Sequence, residues 1–212
     1  MIIIPTYNEK YNVKVLVSRI RAAVGDIRIL FADDNSPDGT AQEIFVLQQT
    51  DPNIQLLVRP QKLGLGSAYR QAFAQILRSS SVEFVITMDA DLSHDPADLP
   101  KILELIKRYP VVVGSRYVRG GRILHWNVMR RLVSHLGNVY ARWLTGMPVA
   151  DSTSGYVAYR LDWLRQVPMS RIRSEWYAFQ IEMKYLLHSL GADICEYPIT
   201  FIERAGGKSK FS

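Results

Sequence analysis

The chain has 212 residues, 48% of them apolar, and a net charge of +6, which suits one globular domain with a full core. Its single cysteine, Cys195, excludes an internal disulfide and fits a reducing compartment. No apolar run reaches the ~18–20 residues of a membrane-spanning helix, and Met1–Pro5 is too short, and lacks the basic start, for a signal peptide.

The first 115 residues alternate strand and helix signals. Ile2–Ile4 is an apolar run stopped by Pro5, and Val13, Leu16, Val17 and Ile20 follow at helical spacing. Asp26–Asp33 reads as a buried strand, a helix with Ile44 and Leu47 begins near Asp38, and Ile54–Val58 is the next strand. Ala68, Ala72 and Ile76 mark a helix, and Phe84–Met88 a strand. Asp95 caps a further helix with Pro96 at its first position, and Val111–Val113 closes the series. Repeated β-α units predict an α/β fold, a mostly parallel Rossmann-like sheet flanked by helices on both faces. Ligands of such sheets bind beyond the carboxyl ends of the strands, where Thr6–Glu9, Asp33–Thr40 and Asp89–Asp95 fall.

The pattern then changes. Between Leu105 and Ala150 there are eight cations and no acid, leaving the rest of the chain at a net −2. Such a field wants anionic partners. Met129, Leu132, Val133, Leu136, Tyr140, Trp143 and Leu144 recur at helical spacing, with Trp126 and Trp143 near the ends of that stretch. Arginines and aromatics on an amphipathic helix fit a helix lying in a lipid interface, and core packing is the alternative. A strand-helix-strand group follows at Tyr156–Tyr159, Glu175–Leu190 and Ala192–Tyr197, and Glu203–Ser212 reads as a loop. Cys195, mid-strand, reads as a small buried hydrophobe.

Asp89-Ala90-Asp91 is the sharpest chemical signal. In extended chain, residues i and i+2 point the same way, and two carboxylates on one side repel unless a partner sits between them. Mg²⁺ and Mn²⁺ prefer carboxylate oxygens together with substrate phosphates. The bland reading is a capping loop of solvated acids, but the position after a buried strand favours the cation. Asp33 and Asp34 are both placed to hydrogen-bond a base or a ribose hydroxyl, Asp33 having the better claim, whereas Ser36–Thr40 reads as plain turn chemistry. Lys62-Leu63-Gly64-Leu65-Gly66 lacks the third glycine of a dinucleotide loop, since Tyr69 stands there. No Walker A segment, zinc-ligand spacing or nucleic-acid recognition motif is present, and no histidine is assigned a catalytic role. Arg116, Arg130 and Arg131 suit diphosphate oxygens.

Together these residues resemble a family-2 glycosyltransferase of the GT-A fold, and more narrowly the dolichyl- or polyprenyl-phosphate mannose synthases. The motifs are Pro5-Thr6-Tyr7-Asn8-Glu9, Asp33–Thr40, Lys62–Gly66, Met88–His94, Gly114–Tyr117, Ser154-Gly155-Tyr156, Phe179–Glu182 and Phe201–Arg204 with Gly207–Lys210. The resemblance implies one catalytic domain over 1–212, with a nucleotide-binding half (1–115) and an acceptor half (116–212). It implies that Pro5, Tyr7, Glu9 and Asp33 hold the nucleoside, and that Asp89 and Asp91 hold Mg²⁺ or Mn²⁺, Asp91 as a direct ligand. Arg116, Arg131, Arg204 and Lys210 would meet donor or acceptor phosphates, Asp91, Arg116 and Arg131 being the catalytic set.

The implied donor is GDP-mannose, the acceptor a polyprenyl or dolichyl phosphate, and the transfer inverting. The competing readings are a UDP-sugar donor, a nucleotide-binding subunit without catalysis, and a metal-dependent phosphatase. The implied location is peripheral, on the cytoplasmic side of a membrane: the plasma membrane in a prokaryote, the endoplasmic reticulum in a eukaryote. No nucleic-acid partner is expected. The chain departs from the family at Trp176, where glycine usually precedes the Tyr-x-Phe-Gln run, and at Val157, where a basic residue is usual. Ending just past Lys210, it reads as a trimmed chain or one that needs a membrane-spanning partner subunit.

Overall fold

The apolar runs become the strands of one sheet because both of its faces are covered. In the computed structural model, which describes residues 1–78 and 82–203, the chain runs β1 (Ile2–Thr6), α1 (Lys10–Val24), β2 (Ile29–Asp33), α2 (Thr40–Thr50), β3 (Ile54–Val58), α3 (Leu65–Leu77) and β4 (Phe84–Thr87). It continues through a 3₁₀ turn (Pro96–Asp98), α4 (Leu99–Leu105), β5 (Val111–Ser115), β6 (Arg122–Leu124) and α5 (Val128–Thr145). The last part holds β7 (Val157–Arg160), α6 (Leu161–Leu164), a second 3₁₀ turn (Met169–Arg171), α7 (Trp176–Ser189), β8 (Ile194–Pro198) and β9 (Thr200–Ile202).

The main sheet has the order β3-β2-β1-β4-β7-β5-β8. Alternate residues of each strand enter opposite cores. Ile2, Ile4, Ile29, Phe31 and Val112 pack under α1, α2 and α4, and Ile3, Leu30, Val111 and Val113 pack under α3, α6 and α7. A strand buried on both faces reads as an unbroken apolar run, which is why the sequence signals these strands so clearly.

The expected mostly parallel sheet is present, with one strand reversed: β7 pairs antiparallel with both β4 and β5. After β5 the chain leaves the sheet, forms α5 and returns from the opposite end. A small second sheet pairs β6 with β9 in parallel. The expected helix at Asp95 begins as a 3₁₀ turn, its first N–H groups partly satisfied because Asp95 accepts from the Ala97 amide.

The two readings of the amphipathic stretch separate here. Only Asn138 and Ala141 of the 18 residues of α5 are buried. Val128 and Trp143 are 82% and 79% exposed, with Met129, Leu132, Val133, Leu136 and Tyr140 also at the surface. Trp126, just before α5, is buried instead. No helix among the described residues is long and apolar enough to cross a membrane.

Asp98, in the 3₁₀ turn, carries a raised carboxyl pKa of about 6. Burial is the main cause and Asp95 adds to it, while a hydrogen bond with Tyr197 opposes them. Between its ordinary value of 3.8 and about 6, the folded chain keeps a proton that the unfolded chain releases. Stability therefore falls as pH rises through that window. Asp98→Asn should flatten this drop and be more stable than the parent at pH 7, as measured by urea unfolding at pH 4 and pH 7.

Candidate active site

Three loops leave the carboxyl ends of β1, β2 and β4 side by side and open one cleft. Its wall is Pro5, Tyr7 and Glu9 with Asp34 and Lys62, and its floor is Asp89 and Asp91. Trp176 and Tyr177, from the start of α7, also line it. The Lys62 ammonium lies 4.8 Å from the centre of the Tyr7 ring, a cation–π contact between the two loops.

The paired aspartates do not sit in extended strand as the i, i+2 argument assumed. β4 ends at Thr87, and the pair lies in the turn beyond it, where Leu92 takes a left-handed φ of 63°. The turn is held by its own side chains. Asp91 Oδ1 accepts from the Ser93 amide (3.1 Å) and hydroxyl (2.6 Å). His94, which the sequence leaves without a role, is buried and stacked on Tyr156. Its Nδ1 accepts from the Asp89 amide at 3.0 Å, which leaves the proton on Nε2, 3.8 Å from Asp89 Oδ2. Both carboxylates still line the one cleft.

Among the described residues, no group of three or more His, Cys, Asp or Glu side chains is gathered to hold a metal. The donor set at the floor is therefore two carboxylates. That suits Mg²⁺ or Mn²⁺, which complete their shells with water and substrate phosphates, and does not suit a structural zinc.

Two residues differ from the sequence reading. Asp33 is fully buried and does not face the cleft. Its carboxylate accepts from the Thr6 hydroxyl (2.8 Å) and from the Ser36 amide and hydroxyl (2.9 and 2.7 Å). Asp33 thus ties β1, β2 and the following turn together, and Ser36 takes part in that tie. The carboxylate facing the cleft is that of Asp34, paired with the fully buried Arg59 and accepting from the Leu63 amide. Burial raises the Asp34 carboxyl above its ordinary value, with Arg59 opposing.

Arg116 is the second. Its Nε and one terminal nitrogen each donate to Asp151 at 2.7 Å, and that nitrogen also reaches Thr153. Asp151 has no exposed surface; burial would raise its carboxyl, but the Arg116 contacts outweigh this and hold it below the usual range. The charge of Arg116 is balanced in place, and the pair fixes the segment from 151 to 155. Lys184, fully buried, donates to the carbonyls of Ser152 (3.0 Å) and Ser154 (2.8 Å). Asn138 of α5 binds Ser152 and Thr153 from the other side. The segment ends at Gly155, where an added Cβ would lie 3.6 Å from both Asp89 Oδ1 and Gln180 Nε2. The sequence does carry a signal for this pair: Asp151 is the first acid after the long acid-free stretch.

Arg131 is exposed and donates to the Ile123 carbonyl, and it lines a second groove with Arg116, Tyr117, Ile123, Val128, Leu132 and His135. Arg130 pairs with Glu203 and lies 4.2 Å from the centre of the Trp126 ring. The structure brings Pro5, Tyr7, Glu9, Asp89 and Asp91 into the cleft and leaves Arg131 in the groove beside it. Arg204 and Lys210 lie outside the described residues.

A parallel-rich sheet whose strand ends hold a nucleotide-sized cleft floored by paired aspartates defines the GT-A class of sugar transferases. Residues 1–167 match the family Glycosyl transferase family 2. The chain is 41% identical over 210 residues to the undecaprenyl-phosphate mannosyltransferase of Micrococcus luteus, covering 99% of this chain and 86% of that protein. It is 39% identical over 214 residues to the polyprenol monophosphomannose synthase of Mycolicibacterium smegmatis, covering 100% and 80%. Glucosyl-3-phosphoglycerate synthase from Mycobacterium tuberculosis, solved with Mn²⁺, uridine diphosphate and phosphoglyceric acid, shares the fold with a TM-score of 0.69 at 18% identity, over 98% of this chain and 70% of that one. The chain belongs to glycosyltransferase family 2 and is a glycosyltransferase.

The buried pair and the exposed arginine predict opposite outcomes. Asp151→Ala leaves Arg116 buried and unpaired and should cost about 3–5 kcal/mol, whereas Arg131→Ala should change stability by no more than about 0.5 kcal/mol. Denaturant unfolding of both variants checks this.

Proposed function

We propose that this glycosyltransferase moves mannose from GDP-mannose to a polyprenyl phosphate at a membrane surface, with Mg²⁺ or Mn²⁺ at Asp89 and Asp91. The observation that carries the acceptor is the position of α5. Its exposed apolar stripe and the groove holding Arg131 lie beside the donor cleft, and Arg130 of α5 hydrogen-bonds Tyr177 in the cleft wall. A long lipid can rest on the stripe while its phosphate meets Arg131. The names of the two relatives at about 40% identity, both of them mannose transferases acting on polyprenol-type phosphates, support the same acceptor and sugar.

In this reading residues 1–115 bind the nucleotide and 116–212 the acceptor, as one catalytic unit. Pro5, Tyr7, Glu9 and Asp34 hold the nucleoside, with Lys62 over Tyr7. Bound at the floor, the cation would offset negative charge developing on the leaving diphosphate. Asp89 and Asp91 supply its carboxylate ligands, and the His94, Ser93 and Gly155 contacts keep them aimed.

The acceptor is a phosphate monoester, largely ionised at pH 7 because its second pKa is about 6. No protein base is needed, so the chain's remaining work is to hold two anions in line. Transfer is then a single in-line displacement: an acceptor phosphate oxygen bonds to the anomeric carbon as the bond to the nucleoside diphosphate breaks, and the configuration inverts. The enzyme acts peripherally, with α5 at the lipid interface on the cytoplasmic face, where a membrane-spanning partner subunit can serve as an additional anchor.

Incubation with labelled GDP-mannose, Mn²⁺ and a short polyprenyl phosphate should move label into the organic phase. Asp91→Ala should abolish this without unfolding the chain, and near-normal transfer by that variant, or undiminished transfer in EDTA, contradicts the cation's role. Trp143→Glu on α5 should leave transfer to a short, soluble acceptor intact while lowering binding to phospholipid vesicles severalfold, and unchanged vesicle binding contradicts the lipid-facing helix.

A further inference from the structure

Trp176 is the bulkiest side chain lining the cleft, and its backbone is in an unfavourable conformation. It is the first residue of α7, with φ at +54°. For a residue with a large side chain this left-handed conformation is a genuine outlier, because Cβ crowds the backbone carbonyl. Such a conformation persists only where the surroundings dictate it, and here they do. The preceding residue, Glu175, accepts from the Ser67 amide at 3.1 Å and from Arg70 at 2.6 Å, while Arg70 also donates to the Ser174 carbonyl.

The glycines of the Lys62–Gly66 motif allow this clamp. A Cβ on Gly66 would lie 2.5 Å from the Ser174 carbonyl, and one on Gly64 would lie 2.7 Å from Glu175 Oε2. The chain entering α7 is thereby pinned to the start of α3, and the turn into the helix is made with a left-handed residue.

Glycine would make that turn without strain. The chain instead places an indole there, 37% exposed and lining the cleft. Trp176 and Tyr177 share the cleft with the acid pair, and a Cβ on Gly155 would lie 3.6 Å from both Asp89 Oδ1 and Gln180 Nε2 of α7, so a sugar on a diphosphate held at those acids falls near the start of α7. One turn along α7, at i+4 from Trp176, is Gln180. It is buried, and neither atom of its amide has a hydrogen-bond partner among the described residues. An aromatic face lining the cleft is the chemistry that the C–H face of a hexose ring would meet.

We propose that Trp176 is a specificity-determining residue of the donor site, its indole being the platform for the apolar face of the transferred hexose. The assignment rests on the reading of the cleft as a nucleotide-sugar site. The test is titration calorimetry with GDP and with GDP-mannose, in Mn²⁺, on the parent chain and on Trp176→Phe, Trp176→Ala and Trp176→Gly, together with thermal unfolding.

Loss of the ring should weaken GDP-mannose roughly five- to tenfold relative to GDP in the Ala and Gly variants, with Phe retaining most of the preference. The Gly variant should melt above the Ala variant, since both lose the ring and only glycine relieves φ. Equal weakening of GDP and GDP-mannose, or an unchanged ratio, overturns the platform. An Ala variant as stable as the Gly variant overturns the strained backbone on which the assignment stands. If the parent binds neither guanine ligand, the donor reading fails by itself, and the same ratios measured with UDP and UDP-glucose decide the role of Trp176.

Discussion

Two like charges at the end of one buried strand are the constraint around which this molecule is built. Asp89 and Asp91 leave β4 within three residues of each other and line the same cleft. In the absence of a partner their repulsion would splay the turn. Ser93 engages one carboxylate, and His94 holds the backbone of the other from behind. Gly155 keeps the neighbouring segment at van der Waals distance from Asp89. These contacts hold both acids at the cleft.

The second level of support is a buried electrostatic network. Arg116 and Asp151 neutralise each other, and Lys184 gathers main-chain carbonyls. Glu196 accepts from the amides of Ala150 and Asp151. Buried ions are costly unless paired and hydrogen-bonded, and here every partner lies in or beside the 150–155 segment. Asn138 joins the same segment to α5. α5 and the aspartate turn are therefore both attached to one short stretch of chain.

Much of the fold is legible in the sequence because a strand buried on two faces cannot avoid reading as an apolar run. β1, β2, β4 and β5, and the helices that cover them, follow from that. The reversed β7 is not legible: an antiparallel central strand has the same composition as a parallel one. The cleft residues Tyr7, Glu9, Asp89 and Asp91 can be read from their position after strands. Which of two adjacent aspartates faces the cleft cannot, because neighbours at a strand end point to opposite sides, and here Asp34 faces out while Asp33 braces the core. Arg116 illustrates a related limit. A cation in an acid-free stretch looks available for phosphate until the fold brings Asp151, 35 residues away, against it. The amphipathic helix left two readings open, and its place on the outside of the molecule removes core packing within this chain.

The proposed transfer depends on a divalent cation at Asp89 and Asp91 that bridges to the donor diphosphate. Crystals grown with GDP-mannose and Mn²⁺, with diffraction collected at the manganese absorption edge, would reveal it. The expected result is a single strong anomalous peak at about 2.0–2.3 Å from an Asp91 carboxylate oxygen and in contact with both phosphates. A nucleotide bound in the cleft with no anomalous peak at Asp89 and Asp91, or a peak at some other set of ligands, would contradict it.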